Sequence, residues 1–105
     1  MKKKIGYEIT DEAEADYRES VNFYAQDNRE VARLFAREFR AVVDLLRERP
    51  LIGSPYIEGT RRKLFPRFSH AVIYDVTSEQ ITVIAVSHQR RDPQYWVKRV
   101  KNRDR

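Results

Sequence analysis

The chain has 105 residues, of which 41% are hydrophobic and 35% are charged, so we predict a single folded domain over residues 1–105 and exclude a disordered chain. It has a formal net charge of +5, no cysteine and two histidines, which excludes disulfides, thiolate chemistry and Cys-based zinc sites and argues against a His-rich metal site. No apolar run is long enough to span a membrane, and no apolar signal-peptide segment follows the three N-terminal lysines, so we expect a cytoplasmic protein with no membrane partner.

The positive charge is concentrated in the C-terminal half. Residues 1–60 have 10 basic and 12 acidic side chains, whereas residues 61–105 have 11 basic and 4 acidic ones. Clustered Lys and Arg raise the local electrostatic potential, which favours a polyanionic partner such as a nucleic acid or an acidic protein segment. The alternative interpretation is a solvated basic face with no partner.

The N-terminal quarter predicts a strand followed by a helix. Ile5–Ile9 alternates apolar with small or polar residues, which is typical of a strand. Thr10 is a candidate N-cap, and the next two residues are acidic, as the positive end of a helix dipole favours. Apolar side chains then recur at helical spacing from Ala13 to Tyr24. We predict that this helix ends near Ala25.

A second helix should follow at once. Residues 27–30 read Asp-Asn-Arg-Glu and match a capping box with Asp27 as the N-cap. An apolar stripe then runs from Ala32 to Leu46, and Pro50 ends the helical pattern. The short connection predicts an antiparallel helical hairpin.

The C-terminal half changes to a strand pattern. Pro50–Gly59 contains two prolines and two glycines and predicts an irregular connection. Strands are predicted at Arg62–Phe65, Phe68–Val76 and Gln80–Val86, and the last two should form a hairpin. Because residues 81–86 are almost continuously apolar, we expect this strand to be central in the sheet.

A short C-terminal helix completes the pattern. Asp92 is the predicted N-cap and Pro93 the first helical residue, and Trp96 should dock the helix on the core. The predicted class is α+β: an N-terminal strand, an antiparallel helical hairpin packed on a curved antiparallel sheet of about four strands, and this short helix.

Several short motifs, taken in chain order, resemble the RelE/ParE superfamily of toxins from type II toxin-antitoxin systems. They are Tyr7, the Ala-Glu-Ala-Asp of 13–16, Tyr24, Arg61-Arg62, residues 68–74, and the His-Gln-Arg-Arg-Asp-Pro-Gln-Tyr-Trp of 88–96. The ParE-like branch matches best. The resemblance implies a bacterial toxin without a cofactor, neutralised by an antitoxin whose C-terminal segment wraps around it. ParE-like members inhibit DNA gyrase, whereas RelE-like members cleave ribosome-bound mRNA.

Cleavage of RNA without a metal needs a base, an acid and cations that stabilise the transition state. The candidate catalytic residues for that reaction are Arg62, His88, Arg90 and Tyr95. However, Leu64 and Ala71 stand where RelE-like enzymes have basic residues. We therefore favour a gyrase inhibitor that acts by binding. A RelE-like endoribonuclease and a degenerate toxin that only binds its antitoxin are the alternatives.

The candidate binding residues are Arg61, Arg62, Arg67, Arg90, Arg91 and Tyr95. Each has a structural alternative. The arginines could pair with carboxylates such as Asp75 and Asp92, and for Arg91 the adjacent Asp92 makes that alternative strong. For His88 we favour a structural role, in which the ring hydrogen-bonds a backbone carbonyl and fixes the turn into the last helix.

Overall fold

The computed structural model describes residues 3–103, which form a mixed sheet with helices on both faces. In chain order the elements are β1 (Gly6–Ile9), α1 (Asp11–Asp27), α2 (Arg29–Glu48), β2 (Ser54–Pro55), a 3₁₀ turn (Ile57–Gly59), β3 (Arg61–Leu64), β4 (His70–Val76), β5 (Gln80–His88) and α3 (Gln94–Arg103). The predicted α+β class is confirmed.

The sheet has five strands in the order β1-β5-β4-β3-β2. β5 therefore lies between β1 and β4, as its apolar run predicted. The expectation of a wholly antiparallel sheet of about four strands was wrong in detail, since β1 runs parallel to β5 and β2 is an extra two-residue strand. A parallel neighbour needs a long crossover, and the helical hairpin provides one. The short alternating pattern of β1 does not specify the direction in which it pairs.

The two faces of the sheet have separate cores. The helical hairpin covers one face, where Phe35, Phe39 and Leu46 pack on alternate strand residues such as Val72 and Val83. The C-terminal helix covers the other face with its own apolar set: Ala71, Ile73, Ile84, Ala85, Trp96, Val97 and Val100. Trp96 is 1% exposed, so its predicted docking role is confirmed.

The predicted N-cap of α1, Thr10, is confirmed, whereas the predicted N-cap of α2, Asp27, is wrong. The Thr10 Oγ1 accepts a hydrogen bond from the Ala13 backbone N–H at 3.1 Å. The second cap is Asn28 rather than Asp27, because α1 continues through Asp27 and Asn28 adopts the extended cap conformation. Its side-chain oxygen accepts from the N–H groups of Glu30 and Val31, at 2.8 and 3.3 Å.

The connection between α2 and β3 is anchored on one tyrosine. The Tyr74 hydroxyl donates to the Pro50 carbonyl at 2.7 Å and accepts from the Gly53 N–H at 3.0 Å. A Cβ atom at position 53 would lie 2.5 Å from the Tyr74 oxygen, so only glycine fits there. The irregular path of residues 50–59 is confirmed.

Two strand boundaries position the site. β4 begins at His70, later than the predicted Phe68, and β5 continues to His88, beyond the predicted Val86. His70 and His88 therefore become cross-strand partners. After β5 the Asp92 Oδ1 accepts from the Gln94 N–H at 2.9 Å, which supports the predicted cap, although the helix begins at Gln94 rather than at Pro93.

Candidate functional site

A cleft of about 390 Å³ opens between α1, the adjoining ends of β4 and β5, and the start of α3. We call it the α1–α3 cleft. Its lining residues are Asp16, Glu19, Ser20, Phe23, Tyr24, His70, Val86, His88, Arg91 and Tyr95. It contains three of the candidate catalytic or binding residues, namely His88, Arg91 and Tyr95.

The two histidines lie side by side at the strand ends of this cleft. Their ring centroids are 5.1 Å apart. His70 is 6% exposed, and its Nε2 lies 3.5 Å from the Ser20 hydroxyl. Burial, reinforced by the neighbouring His88, lowers the pKa of His70 from 6.5 to about 4. His70 is therefore neutral at physiological pH, and among residues 3–103 its Nδ1 has no hydrogen-bond partner.

The imidazole of His88 stabilises the turn that leads into α3 by a hydrogen bond to its backbone. Its Nδ1 accepts the backbone N–H of Arg90 at 3.0 Å, and its carbonyl accepts the N–H of Arg91, also at 3.0 Å. The expectation of a carbonyl as the ring's partner was wrong. Because Nδ1 is an acceptor in this hydrogen bond, the proton of the neutral ring is on Nε2.

Tyr95 projects from the first turn of α3 and is half-buried. Its hydroxyl has no hydrogen-bond partner within the described part of the chain. Burial raises the pKa of this phenol, and the nearby Ser87 hydroxyl opposes the rise only in part. The guanidinium carbon of Arg91 lies 3.6 Å from the ring centroid. Tyr95 is thus a protonated donor at neutral pH, which makes it a poor general base.

A largely buried ion pair between α1 and α3 borders the cleft. Arg99 binds both carboxylate oxygens of Asp16, at 2.8 and 3.2 Å, and also donates to the Ile84 carbonyl at 3.1 Å. The same carboxylate accepts from the Val86 N–H at 3.1 Å. Although burial by itself lowers the pKa of Arg99, the Asp16 carboxylate raises it, so the guanidinium stays charged.

The ion pair between Asp16 and Arg99 was not predicted from the sequence, although the position of Asp16 indicates that it has a partner. Asp16 lies three residues after the buried Ala13 and next to the half-buried Tyr17, on the inward face of α1. A carboxylate on that face needs a partner. The 83 residues that separate Asp16 from Arg99 leave that partner unspecified.

The remaining arginines lie elsewhere. The Arg62 guanidinium lies 4.4 Å from the centroid of Tyr56, on the α3 face of the sheet. Arg61 donates to the carbonyl oxygens of Leu51 and Gly53, and the Arg67 backbone N–H donates to a Glu38 carboxylate oxygen at 3.0 Å.

Arg90 and Arg91, although adjacent, have different surroundings. Arg90 is exposed and contributes its backbone N–H to the His88 ring. Arg91 approaches Glu19 at 3.9 Å and stacks on Tyr95, rather than pairing with Asp92, whose carboxylate caps α3. The structure therefore does not bring Arg62, His88, Arg90 and Tyr95 into one catalytic cluster.

The space around Arg62 is small. Arg62 and His88 border a depression of about 10 Å³, bounded by Ala71, Ile73 and Trp96. That volume is about one water molecule. Trp96 of α3 therefore helps to fill the space beside Arg62 on this face of the sheet.

A second, more polar groove of about 490 Å³ adjoins the cleft. We call it the basic groove. Its lining residues are Glu12, Arg91, Tyr95, Lys98, Arg99, Asn102 and Arg103. Within residues 3–103, no group of three or more His, Asp or Glu side chains could hold a metal ion, and no helix has the length and apolarity to cross a membrane.

Comparison with known proteins identifies the family. A sequence model described as "ParE toxin of type II toxin-antitoxin system, parDE" matches residues 7–93, which is most of the chain. The chain belongs to the ParE toxin family. No curated protein shows significant sequence similarity to this ParE-family chain.

A solved structure described as "Chromosomal ParDE TA system from P. aeruginosa" shares the ParE-family fold. Its TM-score is 0.73 at 18% sequence identity, and the alignment covers 81% of this chain and 96% of that one. The sequence match to the ParE family ends at residue 93, one residue before α3 begins. The helix that closes the cleft therefore lies outside the matched range.

Proposed function

We propose that this ParE-family toxin acts by binding DNA gyrase in the bacterial cytoplasm and is neutralised by a cognate antitoxin. One observation supports binding over RNA cleavage. Leu64 and Ala71 lie directly opposite each other on β3 and β4, on the face where the basic residues of a RelE-like nuclease would stand. α3 packs over the part of that face that contains Ala71, and the depression beside Arg62 and Trp96 has a volume of only about 10 Å³.

The chemistry of the remaining candidates points the same way. A nuclease needs cations beside the developing phosphorane charge, and two of the expected positions hold neutral side chains. Tyr95 has a raised pKa, the His88 Nδ1 is engaged by a backbone N–H, and Arg62 stacks on Tyr56. These three observations favour binding over proton transfer from a ribose hydroxyl.

The antitoxin part of the proposal follows from family membership and from charge. The ParE family is described by its toxin-antitoxin system. Residues 61–105 have 11 basic and 4 acidic side chains, which suits an acidic partner segment.

Supercoiling by purified gyrase tests the proposal. Full-length chain added to gyrase, relaxed plasmid and ATP should inhibit supercoiling, and a molar excess of antitoxin should restore it. Inhibition that antitoxin reverses supports the proposal. Unchanged supercoiling at a large molar excess of the chain, together with codon-linked cuts in a translated mRNA, would overturn it in favour of a RelE-like nuclease. Antitoxin binding with neither effect would indicate a degenerate toxin.

A further inference from the structure

The α1–α3 cleft and the basic groove adjoin each other and differ in chemical character. Arg91 and Tyr95 line both cavities and mark the boundary between them. Ligand binding at these two cavities goes beyond the proposed function, and direct titration with a nucleotide gives a result that does not depend on the outcome of the supercoiling assay.

The cleft half is aromatic and has hydrogen-bonding groups without partners. Phe23 and Tyr24 line it as an edge-to-face pair with centroids 5.3 Å apart, and Phe23 is 65% exposed. The Nδ1 of the buried His70 and the Tyr95 hydroxyl lack hydrogen-bond partners among the described residues. Buried polar atoms are nearly always paired, so a cleft with two such atoms suits an occupant that has both a flat apolar surface and hydrogen-bonding edges.

The groove half is basic. Arg91, Lys98 and Arg103 line it, and Glu12 is its one carboxylate. The guanidinium of Arg99 is already paired with the Asp16 carboxylate. The ion pair of Arg103 with Glu8 is long, at 3.9 Å, and exposed, so it leaves this cation available. Cations grouped in this way suit a phosphate group.

We propose that the two halves together bind one nucleotide unit. The base lies in the cleft, stacks against Phe23 and forms hydrogen bonds with His70 and Tyr95, while its phosphate lies in the groove on Arg91 and Lys98. A base has donors and acceptors on its edge that can pair with both orphaned groups, whereas an aliphatic peptide side chain would leave them unpaired. The nucleotide can be a free mononucleotide or one unit of a single-stranded nucleic acid.

Titration of the full-length chain tests this, with backbone amide chemical shifts as the readout. The probes are the four ribonucleoside 5′-monophosphates, adenosine, inorganic phosphate, and a short single-stranded RNA. We expect saturable shifts around Ser20, His70 and Tyr95 for at least one monophosphate. Adenosine alone and phosphate alone should each bind about tenfold more weakly or worse, since each fills only one half. Stronger binding of RNA than of any monophosphate would identify a nucleic-acid source, and the reverse would identify a free nucleotide.

Adjacent arginines provide a matched control. Arg91→Gln should weaken nucleotide binding about tenfold, and Arg90→Gln should leave it unchanged, because Arg90 lines neither cavity. Tyr95→Phe removes only the orphaned hydroxyl and should also weaken binding without lowering the melting temperature. The proposal is overturned if no probe gives saturable shifts at millimolar concentration, which would mean that water alone fills the cleft. Equal loss of binding in the Arg91 and Arg90 variants would overturn it too, since it would indicate charge attraction without a site.

Discussion

The surroundings of His70 explain why this residue is neutral. Its ring centroid lies 5.0 Å from that of Phe35, 5.9 Å from Phe65 and 6.0 Å from Tyr24. These rings exclude water from the imidazole, and the neighbouring His88 also disfavours a positive charge on it. A charged His70 would be desolvated beside a second histidine, so its protonation opposes folding.

We predict a stability change that follows from the lowered pKa of His70. Between pH 6.5 and about 4 the unfolded chain binds a proton at this position that the folded chain does not. The free energy of unfolding should therefore be unaffected above pH 6.5 and should fall as the pH decreases through this range, by a total of about 3 kcal/mol. Urea unfolding followed by circular dichroism across the range measures it.

His70→Phe is the control for that prediction, because it places another ring in the aromatic pocket and removes the titrating group. Every other ionisable group is common to the two proteins, so the difference between the two pH profiles isolates His70. Parallel profiles for the wild type and the variant would contradict the assignment.

The ion pair between Asp16 and Arg99 should contribute far more to stability than an exposed pair. The two side chains are 10% and 16% exposed. Arg99→Met leaves a buried carboxylate with only the Val86 N–H, and we expect a loss of about 3–5 kcal/mol in the free energy of unfolding. Arg18→Met, which breaks an exposed pair with Glu14 on α1, should cost no more than about 0.5 kcal/mol.

Chemical denaturation of both variants provides the comparison. The double variant Asp16→Leu with Arg99→Met should recover part of the loss, since it removes the unpaired charge. If Arg99→Met lowers the free energy of unfolding as little as Arg18→Met does, the Asp16–Arg99 ion pair contributes little to stability.

At the scale of the elements, the helical hairpin has a junction of a single residue. Asn28 ends α1, where its N–H donates to the Tyr24 carbonyl at 3.0 Å, and it also caps α2. The sequence pattern predicted Asp27 as the cap, but asparagine has nearly the same preference for the N-cap position as aspartate. Only the tertiary path of the chain, which keeps Asp27 helical, decides between them.

Alanine substitutions at this junction test the assignment. Asn28→Ala should lower the free energy of unfolding by about 1 kcal/mol, because it removes the acceptor for two N–H groups. Asp27→Ala, at an exposed position of the last helical turn, should change it by less than about 0.5 kcal/mol. Thermal or urea unfolding measures both. A larger effect at Asp27 than at Asn28 would favour the capping box that the sequence predicted.

The elements that could be predicted from the sequence are those whose formation depends on local residue patterns. The periodicity of the apolar residues predicted both long helices, and the run at residues 81–86 predicted the central strand. The local pattern could not predict the parallel pairing of β1, because its partner strand is about 75 residues away in the chain. In addition, the residues of a four-residue strand do not indicate whether it pairs parallel or antiparallel. The late start of β4 and the extension of β5, which bring the histidines together, likewise depend on cross-strand pairing.

At the scale of the whole molecule, the two sheet faces have different consequences for function. The hairpin face forms the larger core, and α3 covers the opposite face. The residues of the motif at 88–96 divide between a depression on the α3 face and the α1–α3 cleft. The direction in which α3 packs on the sheet determines which of these side chains line the same cavity.

The asymmetric charge predicts how the antitoxin associates. The association rate should fall steeply as salt is raised, because charge steering is screened beyond about 10 Å at 0.1 M ionic strength. Stopped-flow mixing over a series of salt concentrations measures the rate, and the dissociation rate should change much less. An association rate that does not depend on salt would show that electrostatic steering plays no part in antitoxin binding.

The measurement that tests the central claim most directly is made in cells. The chain is expressed under tight control, with and without antitoxin, and plasmid topology and the SOS response are compared with the integrity of translated mRNA in parallel cultures. We predict altered supercoiling and SOS induction with intact mRNA, all suppressed by antitoxin. Rapid codon-linked mRNA cleavage with normal supercoiling would contradict gyrase as the target and would indicate a RelE-like nuclease.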